Sequence, residues 1–285
     1  MKFEKNDALN YNTIKPLEIV SETLEYNGKQ VENLFTRMPN CAIQTNIKSE
    51  YGVSNIFLLV YHMIDRHRDI TNTSYIIPGD ILKMLGYKLL PHKPTIFYEI
   101  INSLICLKIS NYIDFDLSEE DLCKASYSTC IKIYIIEQHF DKNGNFTKLF
   151  YSDVDKLLLI HDSTIKKENL LNVFLYVSSC IYKRPKDENN KEIMYNPETK
   201  PEVFYKNITL LAPKIGMSRA TIFSCLDVLV KHELLKKKEM NNNFRYSNLY
   251  ALNKPGYEQE LEWAAQKIQK EFRYLDKSDL IFGQN

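Results

Sequence analysis

The sequence predicts an α+β fold, mainly α, in which one arrangement of helices and strands occurs twice in succession. Three observations carry that expectation. Between Thr209 and Leu252 a short apolar helix, a glycine turn, a longer amphipathic helix and a strand pair follow one another. The order helix, short helix, turn, long helix, strand runs from Ser54 to Asp116 and repeats from Ser163, and a length of 285 residues suits two domains of ordinary size. The expected divisions are an N-terminal arm over 1–50, a first domain over 51–160, and a second domain over 161–285 that ends in a C-terminal helix.

The second unit carries the strongest pattern. Leu210, Leu211 and Ile215 predict a short helix packed on one face, and Gly216 supplies the positive φ that ends it sharply. Ser218 then caps a helix in which Ile222, Cys225, Leu226, Leu229, Val230 and Leu234 recur at three- and four-residue spacing, the period of one buried stripe. Outside that stripe lie Arg219, Ala220, Phe223, Ser224 and Asp227, the positions that a second helix laid in a major groove offers to base edges. Phe223 has two readings, contact with a thymine methyl or burial in the core. Lys236, Lys237 and Lys238 lead through Asn241, Asn242 and Asn243 into FRYSNLYAL, which predicts a hairpin with an amide-rich tip. From Lys214 to Lys254 there are eight Lys or Arg against three acids, a net of +5, while the whole chain is only +1. Clustered cations are the footprint of a phosphate-binding surface. The candidate DNA-binding residues are therefore Lys214, Ser218, Arg219, Thr221, Phe223, Ser224, Lys236, Lys237, Lys238, Asn242 and Arg245.

Upstream, Ile14 to Tyr26 is expected to hold a short helix, and NLFTRMPNCAIQTN a strand interrupted at Pro39. Ser54 is expected to cap NIFLLVYHMIDRHRD, with Phe57, Leu58, Tyr61 and Ile64 on one face and Arg66, His67 and Arg68 complementing the dipole of the last turn. Pro78 opens a second helix that Gly86 ends, and Pro91 and Pro94 precede a third, TIFYEIINSLICLK. A strand over 109–116 should pair with TCIKIYIIEQHF, which turns at Asp141 to Gly144 and returns as NFTKLFY. Asp114, Asp116, Glu119, Glu120 and Asp121 make this β region acidic, which points the first domain toward protein contacts. Lys88, His92 and Lys93 at its helix turn leave a partial DNA contact open. In the second unit a polar loop over 184–201 separates the first two helices, and EIMYN within it offers a small first strand. Tyr257, Leu261, Ala264, Ala265, Ile268, Phe272 and Leu275 share one face of a last helix, expected to dock on the second domain.

Several chemistries are not expected. No apolar run approaches the roughly 18 residues needed to span a bilayer, so a soluble, cytoplasmic protein without a membrane partner is expected. The six cysteines form no CxxC pair and read as reduced core thiols. None of the eight glycines belongs to a G-x-x-x-x-G-K loop, so ATP hydrolysis is not expected. His62 and His67 are five apart on a helix and diverge by about 140°, which suits surface or capping residues better than a metal pair. His139, His161 and His232 lack ligand spacing to any cysteine, and Asp153 and Asp155 read as solvated residues at a helix start. No enzyme activity, cofactor or metal is expected.

The segment GMSRATIFSCLDVLVKHELLKK resembles the winged-helix signature, in which Gly ends the second helix, Ser-Arg-x-Thr opens the recognition helix, and Leu-x-x-Leu leads into the wing. Gly216, Ser218, Arg219, Thr221, Leu226, Leu229, Leu234 and Leu235 carry the match. Glu233 departs from it, standing where the family often has Gly. Two such units in a chain of this length look like the replication initiators of plasmids and phages. That resemblance implies two tandem winged-helix domains, one serving dimerisation and one reading repeated origin sites. Its implied partners are double-stranded DNA, a second copy bound through the first domain, and host replication proteins. A winged-helix transcriptional repressor and a protein-docking adaptor are the alternatives.

Overall fold

The structure, a computed structural model, describes residues 21–26, 29–44, 56–136, 146–162, 164–181, 200–240 and 248–268. In chain order its elements begin with β1 (Ser21–Tyr26), β2 (Lys29–Pro39), α1 (Asn40–Gln44), α2 (Phe57–Arg66), β3 (Thr73–Ile76) and α3 (Pro78–Met84). There follow α4 (Thr95–Ile109), β4 (Ile113–Asp114), α5 (Glu119–Cys123), β5 (Ile131–Ile135), β6 (Phe146–Phe150) and α6 (Tyr151–Leu159). The last are α7 (Lys167–Cys180), α8 (Ile208–Ile215), α9 (Arg219–Lys231), β7 (Leu235–Glu239), β8 (Asn248–Leu252) and a helix over 257–268, here α10. The class is α+β and mainly helical, with small antiparallel sheets.

The helix without a polar face sets the centre. From Leu170 to Ser178 every residue of α7 is buried, the behaviour of a helix that is apolar all round. It packs on α1, α2, α6 and β6 on one side and on α8 and α9 on the other. One apolar core consequently runs from Met38 to Tyr250, through both units. Polar ties cross the same joint. Tyr87 donates to Glu168 Oε1 at 3.4 Å and Lys167 donates to the Met84 and Leu158 carbonyls, while within the first unit Arg66 grips both oxygens of Asp155 at 2.5 and 3.2 Å.

The two units repeat one topology. In the first, β3, β5 and β4 form an antiparallel sheet in that order behind α2, α3 and α4. In the second, β7 pairs with β8 from Leu235↔Leu252 to Glu239↔Asn248, and Phe204 bridges Tyr250 on the other edge of β8 with reciprocal bonds of 2.7 and 2.9 Å. The order Phe204, β8, β7 matches β3, β5, β4. Even the turns correspond. Gly86 and Gly216 end the short helices at φ 87° and 69°, and Asn111 and Glu233 follow the long ones at φ 60° and 58°. The left-handed conformation at Glu233 is the physical reason that glycine suits this position.

Several expectations are corrected. Residues 21–26 are a strand, not part of a helix, because they pair with β2 from Ser21↔Leu34 to Tyr26↔Lys29. Within the segment read as an arm, the described β2 and α1 pack into the fold, with Phe35, Met38 and Ile43 buried. NFTKLFY does not return along TCIKIYIIEQHF. β5 already has β3 and β4 on its two edges, so β6 pairs instead with β2, from Phe35↔Phe150 to Pro39↔Phe146. His62 is not a surface residue. It lies where α2 meets β2 and α6, with Nδ1 2.9 Å from Thr36 Oγ1, and burial pushes its pKa down to about 3. His67 does stand at the C-cap of α2. Asp153 is half-buried instead of solvated, and burial pushes its carboxyl up to about 6, while the exposed Asp155 is engaged by Arg66. Leu210 points outward at 69% exposure, leaving Leu211 and Ile215 to seat α8. Ser54, the turn 141–144 and EIMYN lie outside the described residues.

Cys106 and Cys225 are buried, Cys180 is half-buried, and Cys123 and Cys130 are exposed. The last two are therefore not core thiols. No described helix is long and apolar enough to cross a membrane.

Candidate nucleic-acid interface

Presentation of α9 begins with its N-terminus. Ser218 accepts the Thr221 N–H at 3.1 Å, and their hydroxyls lie 2.8 Å apart, so both side chains serve the cap. Gly216, left-handed at φ 69°, closes α8 by donating to the Ala212 carbonyl. Together these fix the angle between α8 and α9. The stripe Ile222, Cys225, Leu226 and Leu229, joined by Val228, is buried against α7 and α8. Arg219, Ala220, Phe223, Ser224, Asp227 and Lys231 consequently form the open face.

Of the two readings of Phe223, the structure gives the outward one, at 40% exposure. Arg219 is exposed on the first turn, its guanidinium 3.4 Å from Thr209 Oγ1, and Lys214 is exposed at the end of α8. Ser224 lies one turn beyond Ala220 on the open face. Lys231, exposed in the last turn, adds a cation to this face that the stripe pattern alone does not single out. A helical-wheel count of the non-stripe positions would have found it.

The three lysines of β7 behave differently, because strand residues alternate faces. Lys237 lies on the α9 side with Leu235 and feels Asp227, while Lys236 and Lys238 lie on the opposite side with Met240. Each has an acid partner. Lys236 Nζ lies 3.0 Å from Glu233 Oε1 and Lys237 Nζ 2.9 Å from Glu239 Oε1, while Lys238 pairs with Glu262. Hydrogen bonding to Glu233 and to Glu239 raises the pKa of Lys236 and Lys237 respectively, and bonding to Lys238 lowers that of Glu262. The run of lysines is thus split between two surfaces. Asn242 and Arg245 lie outside the described residues.

The corresponding helix of the first unit presents Thr95, Tyr98 and Asn102, with Ile109 at its end, and its one cation, Lys108, is half-buried and paired with Asp114. Lys93 turns inward to the Ala125 carbonyl at 2.6 Å and over the Phe97 ring, which removes it from the partial DNA contact expected at this turn. Lys88 and His92 remain exposed there. Glu119, Glu120 and Asp121 form the exposed first turn of α5, capped by Ser118. Among the described residues no group of His, Cys, Asp or Glu is placed to hold a metal ion. Comparison with protein-family models, curated proteins and solved structures finds no match to this chain.

Proposed function

We propose that this chain is a sequence-specific double-stranded DNA-binding protein with two tandem winged-helix domains, acting as a replication initiator of the plasmid or phage kind at repeated origin sites. The observation that carries the reading is the open face of α9, where Arg219, Phe223 and Ser224 share the first half of the helix, with exposed Lys214 at the end of α8 and exposed Lys231 in the last turn of α9. Arg219 can fork to the O6 and N7 acceptors of a guanine, Ser224 can make a shorter polar contact, and Lys214, Lys231 and Lys237 can meet phosphates. The repeated helix, helix, hairpin order supports the two-domain part. The first domain, acidic along α5 and without exposed cations on α4, suits self-association or contact with a host replication protein.

The test is enrichment from a randomised duplex pool with the purified chain, followed by asking whether the gene with adjacent DNA sustains a replicon. One enriched motif, iterated beside the gene and required for replication, supports the initiator. A motif that represses transcription without supporting replication makes the protein a repressor. No enrichment at low salt removes the DNA reading.

A further inference from the structure

We propose that α10 masks charge on the wing, and that duplex DNA must displace this mask to use Lys236 and Lys238. The inference deepens the DNA-binding reading and rests on it. Leu261, Ala264, Ala265 and Ile268 of α10 pack on Val203, Met240, Leu249 and Ala251, so the helix covers the face of the hairpin turned away from α9. Glu260 fixes its height by accepting the Glu202 N–H at 2.9 Å. In that seat Tyr257 lies under Lys236, ring centroid 5.4 Å from Nζ, and Glu262 lies over Lys238. The pair Lys238–Glu262 is only partly sheltered, with side-chain exposures of 35% and 57%. Phosphate can therefore replace the carboxylate at little cost, since exposed ion pairs are weak.

The consequence is selective. A lysine held beneath α10 contributes little to sequence-independent attraction, so weak encounters with arbitrary DNA are damped. Where α9 also matches the bases, the wing is held against the backbone long enough for the exchange to occur. The mask thus widens the gap between specific and non-specific binding without touching a base.

The test uses the full chain and fluorescence-anisotropy titrations on random-sequence and enriched duplexes across a salt series. Glu262→Gln should tighten random-sequence binding about two- to fivefold. It should also steepen the log–log salt dependence by about 0.9, the signature of one more phosphate contact. Binding to the enriched duplex should tighten less. Lys238→Ala should cost at least twice as much affinity beside Glu262→Gln as it does in the native chain. Unchanged binding by Glu262→Gln overturns the mask. So does an equal gain with and without Lys238, which is simple relief of repulsion. If neither the native chain nor Glu262→Gln binds any duplex at low salt, it is the DNA reading that fails.

Discussion

Phe223 offers the sharpest test of the proposal that α9 contacts DNA. Its 40% exposure leaves roughly 80 Å² of ring surface in water, worth up to about 2 kcal/mol if wholly covered on binding. A single thymine methyl covers only part of it. By the value of one buried methylene-sized group, that contact is worth about 0.8 kcal/mol, or about fourfold in affinity. Replacing the contacted thymine by uracil removes the methyl alone. In a scan of uracil substitutions through the enriched site, the native chain should lose about fourfold at one position per site. Phe223→Ala should be insensitive at that position while unchanged elsewhere. Because the ring is outside the core, Phe223→Ala should also melt within a degree or two of the native chain. A native chain indifferent to uracil at every position, or a Phe223→Ala variant that keeps the same uracil sensitivity, refutes the contact.

Other consequences can be measured alongside. Glu233 holds a left-handed φ of 58° that costs a non-glycine residue about 1 kcal/mol, so Glu233→Gly should raise the Tm by about 2–4 °C and Glu233→Ala should not; a Tm lowered by glycine contradicts the strain. Lys237→Ala should weaken all duplexes alike and reduce the salt slope by about one unit, more than Lys236→Ala or Lys238→Ala; the reverse order would mean that the hairpin turns its other face to DNA. Acid stability should carry two opposed slopes. His62, its pKa down near 3 by burial, takes up its proton only on unfolding, so its contribution to stability is full above about pH 6.5 and falls toward pH 3 by up to about 1.4 kcal/mol per unit. Asp153, raised to about 6, protonates first in the fold, so stability rises as pH falls from 6 to 3.8, and burial raises Glu168 in the same sense. Melts should therefore change little between pH 6 and 4, and Asp153→Asn should uncover a decline; a variant profile that superimposes on the native one contradicts the opposition.

What the sequence made legible was local. Gly216, Ser218 and the stripe from Ile222 to Leu229 each act through neighbours within about one helical turn, and all three are present. The last helix docks through Leu261, Ala264, Ala265 and Ile268 as its single stripe predicts. The missed features depend on partners far along the chain. β6 lies on β2 because the edges of β5 are already occupied, a fact about three strands that no one segment records. Phe204 completes the second sheet as a single bridged residue, too short for any alternation pattern. The lysine run was treated as one patch of charge, although a period of two in a strand divides it, and Glu262 lies 24 residues from its partner Lys238. The spacing of His62 to His67 says nothing of its burial, which is decided by β2 and Tyr151.

Site-specific photocrosslinking tests the central claim most directly. A benzophenone amino acid placed at Ala220, on the open face of α9, is compared with the same group at Tyr98 on α4, each in the full chain bound to the enriched duplex. The proposed reading predicts a crosslink from position 220 to bases of the motif, abolished by competing unlabelled motif and not by random duplex, with little or none from position 98. Crosslinking from position 98 without any from position 220 would place DNA on the first unit and contradict it.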